Sequence, residues 1–221
     1  MFCLLAISLS QASFDFSYEL KYGDGWKSNS RGELEVDENG DPVPFKFNEN
    51  FLRINSNYNG LYLYLELEYS NDPILGYSKT EIKDILSRFY IEEQSSQGQI
   101  KFGNIYTLYG AGLSLYTFPD QDIDFDNSID GLEFNYYLSD SFETFLIMGK
   151  ATLEQRTNPA RIEPDRFSDN TLVVGGLNYD FSFGYGHLLY KNQKMHMDNS
   201  TLLTFDLVQG DRSTLFDWDF A

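Results

Sequence analysis

Short runs in which apolar and polar residues alternate fill nearly all of this chain. The clearest is Phe14-Asp15-Phe16-Ser17-Tyr18-Glu19-Leu20-Lys21-Tyr22, with Phe14, Phe16, Tyr18, Leu20 and Tyr22 on one side and polar residues on the other. A period of two is what a pleated strand imposes, so the run predicts a strand with one apolar face. Residues 61–69 repeat the pattern: Leu61, Leu63, Leu65, Leu67 and Tyr69 share a face, and Tyr62, Tyr64, Glu66 and Glu68 share the opposite one. Carboxylates on that second face are tolerated against water in a lumen and costly against lipid.

Turn chemistry orders these runs into hairpins. Asn57-Tyr58-Asn59-Gly60 carries the Asn-Gly pair of a tight turn, between strands predicted at 51–56 and 61–69. Further pairs are predicted at 85–93 with 99–106, at 132–138 with 142–151 around Ser139-Asp140-Ser141, at 172–179 with 181–190, and at 201–209 with 214–220. The polar stretch 23–48 reads as a loop holding a short strand at 33–36, and 79–84 as one helical turn. Short turns therefore alternate with long connections at 23–48, 71–84, 156–170 and 191–199. Bacterial outer-membrane barrels have that rhythm, although soluble sandwiches also turn at short intervals.

The expected fold is all-β, an antiparallel up-and-down transmembrane β-barrel, and 221 residues suit a single such domain. About eleven strands is an odd number for a bacterial barrel made of one chain. The sequence also ends on Asp217-Trp218-Asp219-Phe220-Ala221 with no turn or polar tail, so the expectation is an incomplete N-terminal portion of a larger barrel. Residues 1–12 are apolar and uncharged, with the small residues Ser10 and Ala12 before Ser13. They fit the apolar core and cleavage region of a signal peptide but lack its basic leader, which reads as a signal-peptide remnant ahead of a barrel at 13–221. The rival is a buried N-terminal strand or helix. Cys3 is the only cysteine and follows no lipobox, so a chain cleaved after residue 12 needs no disulfide.

Charge narrows the partners. Sixteen basic against 34 acidic residues give a net charge of −18. Nucleic-acid binding needs clustered Lys and Arg to displace counterions, and no basic stripe is present. From Phe102 to Gly149 there is no Lys or Arg at all, while Asp120, Asp122, Asp124, Asp126, Asp130, Glu133, Asp140 and Glu143 fall in that span. Lining a cavity, such a field favours cations or neutral solutes over anions.

The sharpest local motif runs from Asp122 to Glu133. Asp122, Asp124, Asp126, Ser128, Asp130 and Glu133 occupy positions 1, 3, 5, 7, 9 and 12 of a calcium-loop template, with Ile129 at 8 and Asn127 in place of the turn glycine. The flanks differ from an EF-hand: Pro119 precedes the motif, and the alternation of Leu132, Phe134 and Tyr136 after it predicts a strand rather than a helix. A Ca2+ or lumen-cation loop and a plain acidic loop, hydrated or folded into the lumen, both remain open. Tyr109-Gly110-Ala111-Gly112 lacks the Lys-Ser/Thr ending and the helix of a phosphate loop. Its glycines suit a strand kink or close passage of the acidic loop along the wall. His187 and the Met195-His196-Met197 triplet are read as exposed loop residues ahead of a soft-metal site. No Gly-x-Ser-x-Gly or triad order occurs, so the chain is not read as an enzyme.

Gly103-Asn104-Ile105-Tyr106-Thr107-Leu108-Tyr109-Gly110-Ala111-Gly112-Leu113, the acidic run Asp120 to Asp130 closing on Gly131, and Asp72-Pro73-Ile74-Leu75-Gly76-Tyr77 together resemble an uncharacterised family of porin-like outer-membrane proteins of Bacteroidota-type bacteria, a domain of unknown function. The resemblance covers residues 14–190 and implies a barrel whose complete members are considerably longer. Where that family has basic residues in the acidic segment, this chain reads Pro119-Asp120-Gln121-Asp122. The resemblance implies location and fold and brings no catalytic residues.

The functional expectation is an outer-membrane β-barrel passing or taking up small solutes, with an acidic lumen loop. Its partners would be outer-membrane lipid and small solutes or cations, and its location the bacterial outer membrane. The alternative is a secreted soluble β-sandwich that binds calcium or glycan as an adhesion module.

Overall fold

The computed structural model describes residues 12–29, 31–73, 78–112, 114–120, 125–155, 166–197 and 213–220, the last stretch by its backbone alone. Ten long strands form one antiparallel sheet in simple up-and-down order. They are β1 (Ser13–Trp26), β2 (Pro44–Tyr58), β3 (Leu61–Asn71), β4 (Leu86–Ser95), β5 (Gly98–Ile105), β10 (Ile129–Ser139), β11 (Phe142–Gln155), β12 (Arg166–Phe181), β13 (Gly184–Met197) and β14 (Ser213–Phe220). Between β5 and β10 the chain makes an excursion that holds β6 (Leu108–Tyr109), a single 3-10 turn (Gly110–Gly112), β7 (Leu115–Tyr116), β8 (Pro119–Asp120) and β9 (Phe125–Asp126). One helical turn, α1 (Ile82–Ile85), leads into β4. Among the described residues no helix is long and apolar enough to cross a membrane.

The protein is therefore all-β and antiparallel, as its alternation demands. The described sheet is not closed into a barrel: closure requires the last strand to bond the first, and among the described residues β1 pairs only with β2 and β14 only with β13 within the sheet. The expected strand at 201–209 and residues 1–11 lie outside the described residues.

Local sequence explains the hairpins. Asn59 and Gly60 sit at φ 51° and 86°, the left-handed conformation that a two-residue turn between right-twisted strands requires. Two-residue turns also join β4 to β5, β10 to β11 and β12 to β13, whereas long connections separate β1 from β2, β3 from β4 and β5 from β10. The polar stretch after Tyr22 is less of a loop than its composition predicts. Ser13–Trp26 pairs without a break against Pro44–Tyr58, and two isolated bridges, Ser28↔Leu34 and Val36↔Pro42, continue the ribbon. Backbone pairing extends the strands where side chains alone predict none.

The two faces of the sheet differ in kind. One carries Phe14, Phe16, Tyr18, Leu20, Leu63, Ile91, Phe102, Phe134, Leu146, Val173, Leu177 and Leu188, all exposed, Phe16 at 68%. The opposite face is covered by the 106–128 excursion. There Ile105 and Ile129 pair across β5 and β10, Ile147 and Val174 pair across β11 and β12, and all four are fully buried with Phe145, Leu172, Leu189 and, from the excursion, Leu115. Fully burying each such aliphatic side chain contributes about 2 kcal/mol. The core thus lies between β10–β13 and the excursion, while the covered face of β1–β4 is polar.

Candidate functional site

On the polar half of the covered face, register builds a ladder of alternating charge. Arg53 of β2, Glu66 of β3 and Arg88 of β4 stand directly opposite one another in successive strands. Arg53 donates from Nε to Glu66 Oε2 at 2.7 Å and reaches Glu19 of β1 at 2.9 Å. Arg88 lies 3.5 Å from Glu66 Oε1 and donates from Nε to Asp126 Oδ2 at 3.1 Å. Tyr64 donates to Glu66 and Tyr106 donates to Asp126, at 3.1 and 2.8 Å. Glu66 is only 1% exposed, and a carboxylate so deeply buried stays ionised only among such partners. The ladder ends on the excursion, so it also fastens Asp126 to the wall.

A second anchor is aromatic. Tyr109 lies face to face with Phe145 of β11, ring centroids 3.9 Å apart and planes 10° apart, and its ring is 5.7 Å from that of His187. Gly110 and Gly112, at φ 62° and 84°, let the chain reverse tightly between β6 and β7 just beyond this stack. The Tyr-Gly-x-Gly glycines thus turn the tip of the excursion rather than kink a strand. Beyond the turn, Lys191 of β13 donates to the Ser114 carbonyl at 3.3 Å. Burial is the main cause that pushes the Tyr106 and Tyr109 phenols above their ordinary range, and nearby carboxylates add to it: Asp126 for Tyr106, Glu133 and Glu143 for Tyr109. Both phenols therefore remain neutral at physiological pH, and Tyr106 donates to Asp126.

Of the calcium-loop residues, those that the structure describes have separate partners. Asp122 and Asp124 lie outside the described residues. Asp126 is engaged by Arg88 and Tyr106, and its Oδ1 accepts from the Ser128 backbone N–H at 2.7 Å. Ser128 Oγ and Asp130 Oδ1 both accept from Asn104 Nδ2, at 3.2 and 2.6 Å. Asp130 and Glu133 belong to one regularly paired stretch of β10, three positions apart, so they face opposite sides of the sheet. Asp130 is exposed and Glu133 is 6% exposed on the covered side beside Asn135. Asn127, set at the template's turn position, ties the excursion to itself: its Oδ1 accepts from Phe118 N and its Nδ2 donates to Tyr116 O. Among the described residues no group of three or more His, Cys, Asp or Glu is arranged to hold a metal ion.

Met195-His196-Met197 does not lie in a loop: the triplet belongs to β13, as does His187, which is 7% exposed. His187 Nδ1 is 2.6 Å from Asn178 Oδ1, and Asn178 Nδ2 donates to Glu143 at 3.2 Å, a polar chain across three strands. Sequence reading missed this chain and the Arg53 and Arg88 ladder. The available signal was parity: Arg53, Glu66 and Arg88 each interrupt a strand on its polar side, but only register makes them neighbours.

The chain belongs to DUF6029, a family of unknown function, whose match spans residues 2–203. No curated protein and no solved structure matches it.

Proposed function

We propose that the chain forms wall of an outer-membrane β-barrel and that small solutes pass along its covered face, where the acidic 106–128 excursion narrows the way. One observation carries this reading: the sheet is apolar along its exposed side, while its covered side is charged over β1–β4 and apolar only where the excursion packs on β10–β13, the inverse of a water-soluble sheet. The apolar side also has a polar border. Asn104, Asp130, Lys150, Thr171 and Lys194 follow one another in register across β5 and β10–β13, toward the long connections. On the other side of that row come Phe102, Leu132, Met148 and Val173, the start of the apolar band. A lipid-facing strip bounded by polar residues is what a barrel wall needs, since an apolar surface of this extent is costly against water. The soluble sandwich alternative would need a second sheet packed face to face, and the described long strands all belong to one.

The test is fractionation of the expressed protein. Retention in urea-washed outer membrane with a heat-dependent gel shift supports an integral barrel, and release into buffer without a shift overturns it. In planar bilayers, replacing Asp122, Asp124 and Asp126 by Asn is expected to lower cation preference; unchanged selectivity would remove the excursion from that role.

A further inference from the structure

Beside the charge ladder, toward the short-turn rim of β3 and β4, the sheet opens into a cavity of about 640 Å³. Its lining joins the phenol rings of Tyr62 and Tyr90 to the amides of Asn57 and Gln94, the carboxylate of Glu92 and the hydroxyl of Ser96. That volume is within the range of small-molecule sites, roughly 300–1,000 Å³.

Charge disfavours an anion here. Glu92 is the one charged residue among those lining the cavity, and Lys101 Nζ, 3.6 Å from its Oε2, stands in register between Glu92 and Glu133, so the surroundings keep a net negative charge. An anion would meet no unpaired cation, and a cation would have to compete with Lys101. The aromatic rings are held in place. Tyr90 is stacked on Tyr64 at 5.2 Å with Lys101 over its ring at 4.0 Å. Tyr62 donates to Asn55 Oδ1 at 2.6 Å and sits 5.7 Å from Tyr90. A ring fixed by its own hydroxyl loses little freedom on binding.

We propose that this cavity binds a neutral, polyhydroxylated solute, a mono- to trisaccharide, by packing a sugar ring on Tyr62 and pairing its hydroxyls with Asn57, Glu92, Gln94 and Ser96. Sugar rings present an apolar C–H face and a rim of hydroxyls, and the lining offers one aromatic surface and a rim of donors and acceptors. The proposal deepens the solute-passage reading and rests on it for its biological meaning, but the binding chemistry is tested separately.

The test is titration of the folded protein with maltose and cellobiose, followed by ligand-observed NMR, with glucosamine and glucuronate as charged comparators. Neutral disaccharides are expected to bind more tightly than either comparator. Tyr62→Ala and Gln94→Ala are each expected to weaken that binding about tenfold, and Tyr62→Phe to retain most of it. Absence of binding by both disaccharides overturns the proposal, as does equal binding of the charged comparators or binding unchanged in the variants. Should Tyr62→Ala fail to fold, the exposed Gln94→Ala decides. Fractionation of the same preparations separates the two readings: binding by a protein released from membranes keeps the saccharide site and removes passage, whereas membrane retention without binding removes the site alone.

Discussion

Arg88 and Asp126 meet with Nε 3.1 Å from Oδ2, and this contact joins the fourth strand to an excursion that begins only after the fifth. The same guanidinium also neutralises Glu66, so one side chain couples the buried charge of the wall to the position of the acidic segment. Arg88 is 13% exposed and Asp126 32%, which keeps solvent screening modest.

Arg88→Met is expected to lower stability by about 2 kcal/mol, the scale of a lost hydrogen bond to a charged group. Glu66 keeps Arg53 and Tyr64, which limits the loss. Arg88→Lys should restore only part of it, because a single ammonium replaces a fork that serves two carboxylates. Denaturant unfolding measures the loss, and faster proteolysis within 106–128 reports release of the excursion.

Tyr109→Ala is expected to cost about 3 kcal/mol, because it removes a ring stacked on Phe145 and opens a hole against the core. Tyr109→Phe keeps the stack and should cost under about 1 kcal/mol. Equal losses from the two would place the contribution in the hydroxyl instead. The comparison is made by the same unfolding measurement.

Gly131 and Gly149 face each other across β10 and β11. A Cβ added at Gly131 would lie 2.0 Å from the Met148 carbonyl oxygen, a backbone atom that cannot swing aside. Gly131→Ala is therefore expected to destabilise the sheet by about 1–3 kcal/mol through strain. Gly25→Ala, where an added Cβ meets nothing within 4 Å, serves as the control with a much smaller effect.

Asp37 lies in the connection between β1 and β2, and its Oδ1 accepts backbone N–H bonds from Asp41 at 2.9 Å and Asn39 at 2.8 Å. Those bonds, Asp41's first, hold its carboxyl below the ordinary 3.8. A depressed folded value means that the turn's stabilisation is present above the unfolded pKa and is lost as pH falls through the folded one. An NMR titration should find the Asp37 midpoint below that of an unstructured aspartate, and Asp37→Ala should abolish turn order at all pH values.

The alternation of Leu61 to Tyr69, the Asn59-Gly60 turn and the Ser139-Asp140-Ser141 turn were legible by themselves, because strand period and turn conformation are set by each residue and its immediate neighbours. The same local physics predicted an all-β meander with one apolar and one polar face, and one helical turn ahead of β4. It could not predict that β1 and β2 continue through a polar stretch, because backbone pairing there does not depend on apolar side chains.

What only the tertiary structure decided is non-local. Arg53, Glu66 and Arg88 lie 13 and 22 residues apart in sequence order and become a ladder solely through register. The excursion docks by Tyr109 on Phe145 and by Asp126 on Arg88, and Asp130 and Glu133, which share a loop template in sequence, face opposite sides of a strand. His187, inside a predicted strand, was set on the covered face by its parity in β13. The sequence by itself determined that this protein is an antiparallel sheet with two unlike faces, because the period of two is written in the chain. Which charges meet, what covers the inner face and that the described sheet stays open were decided by contacts between distant segments, whose energies no local pattern contains.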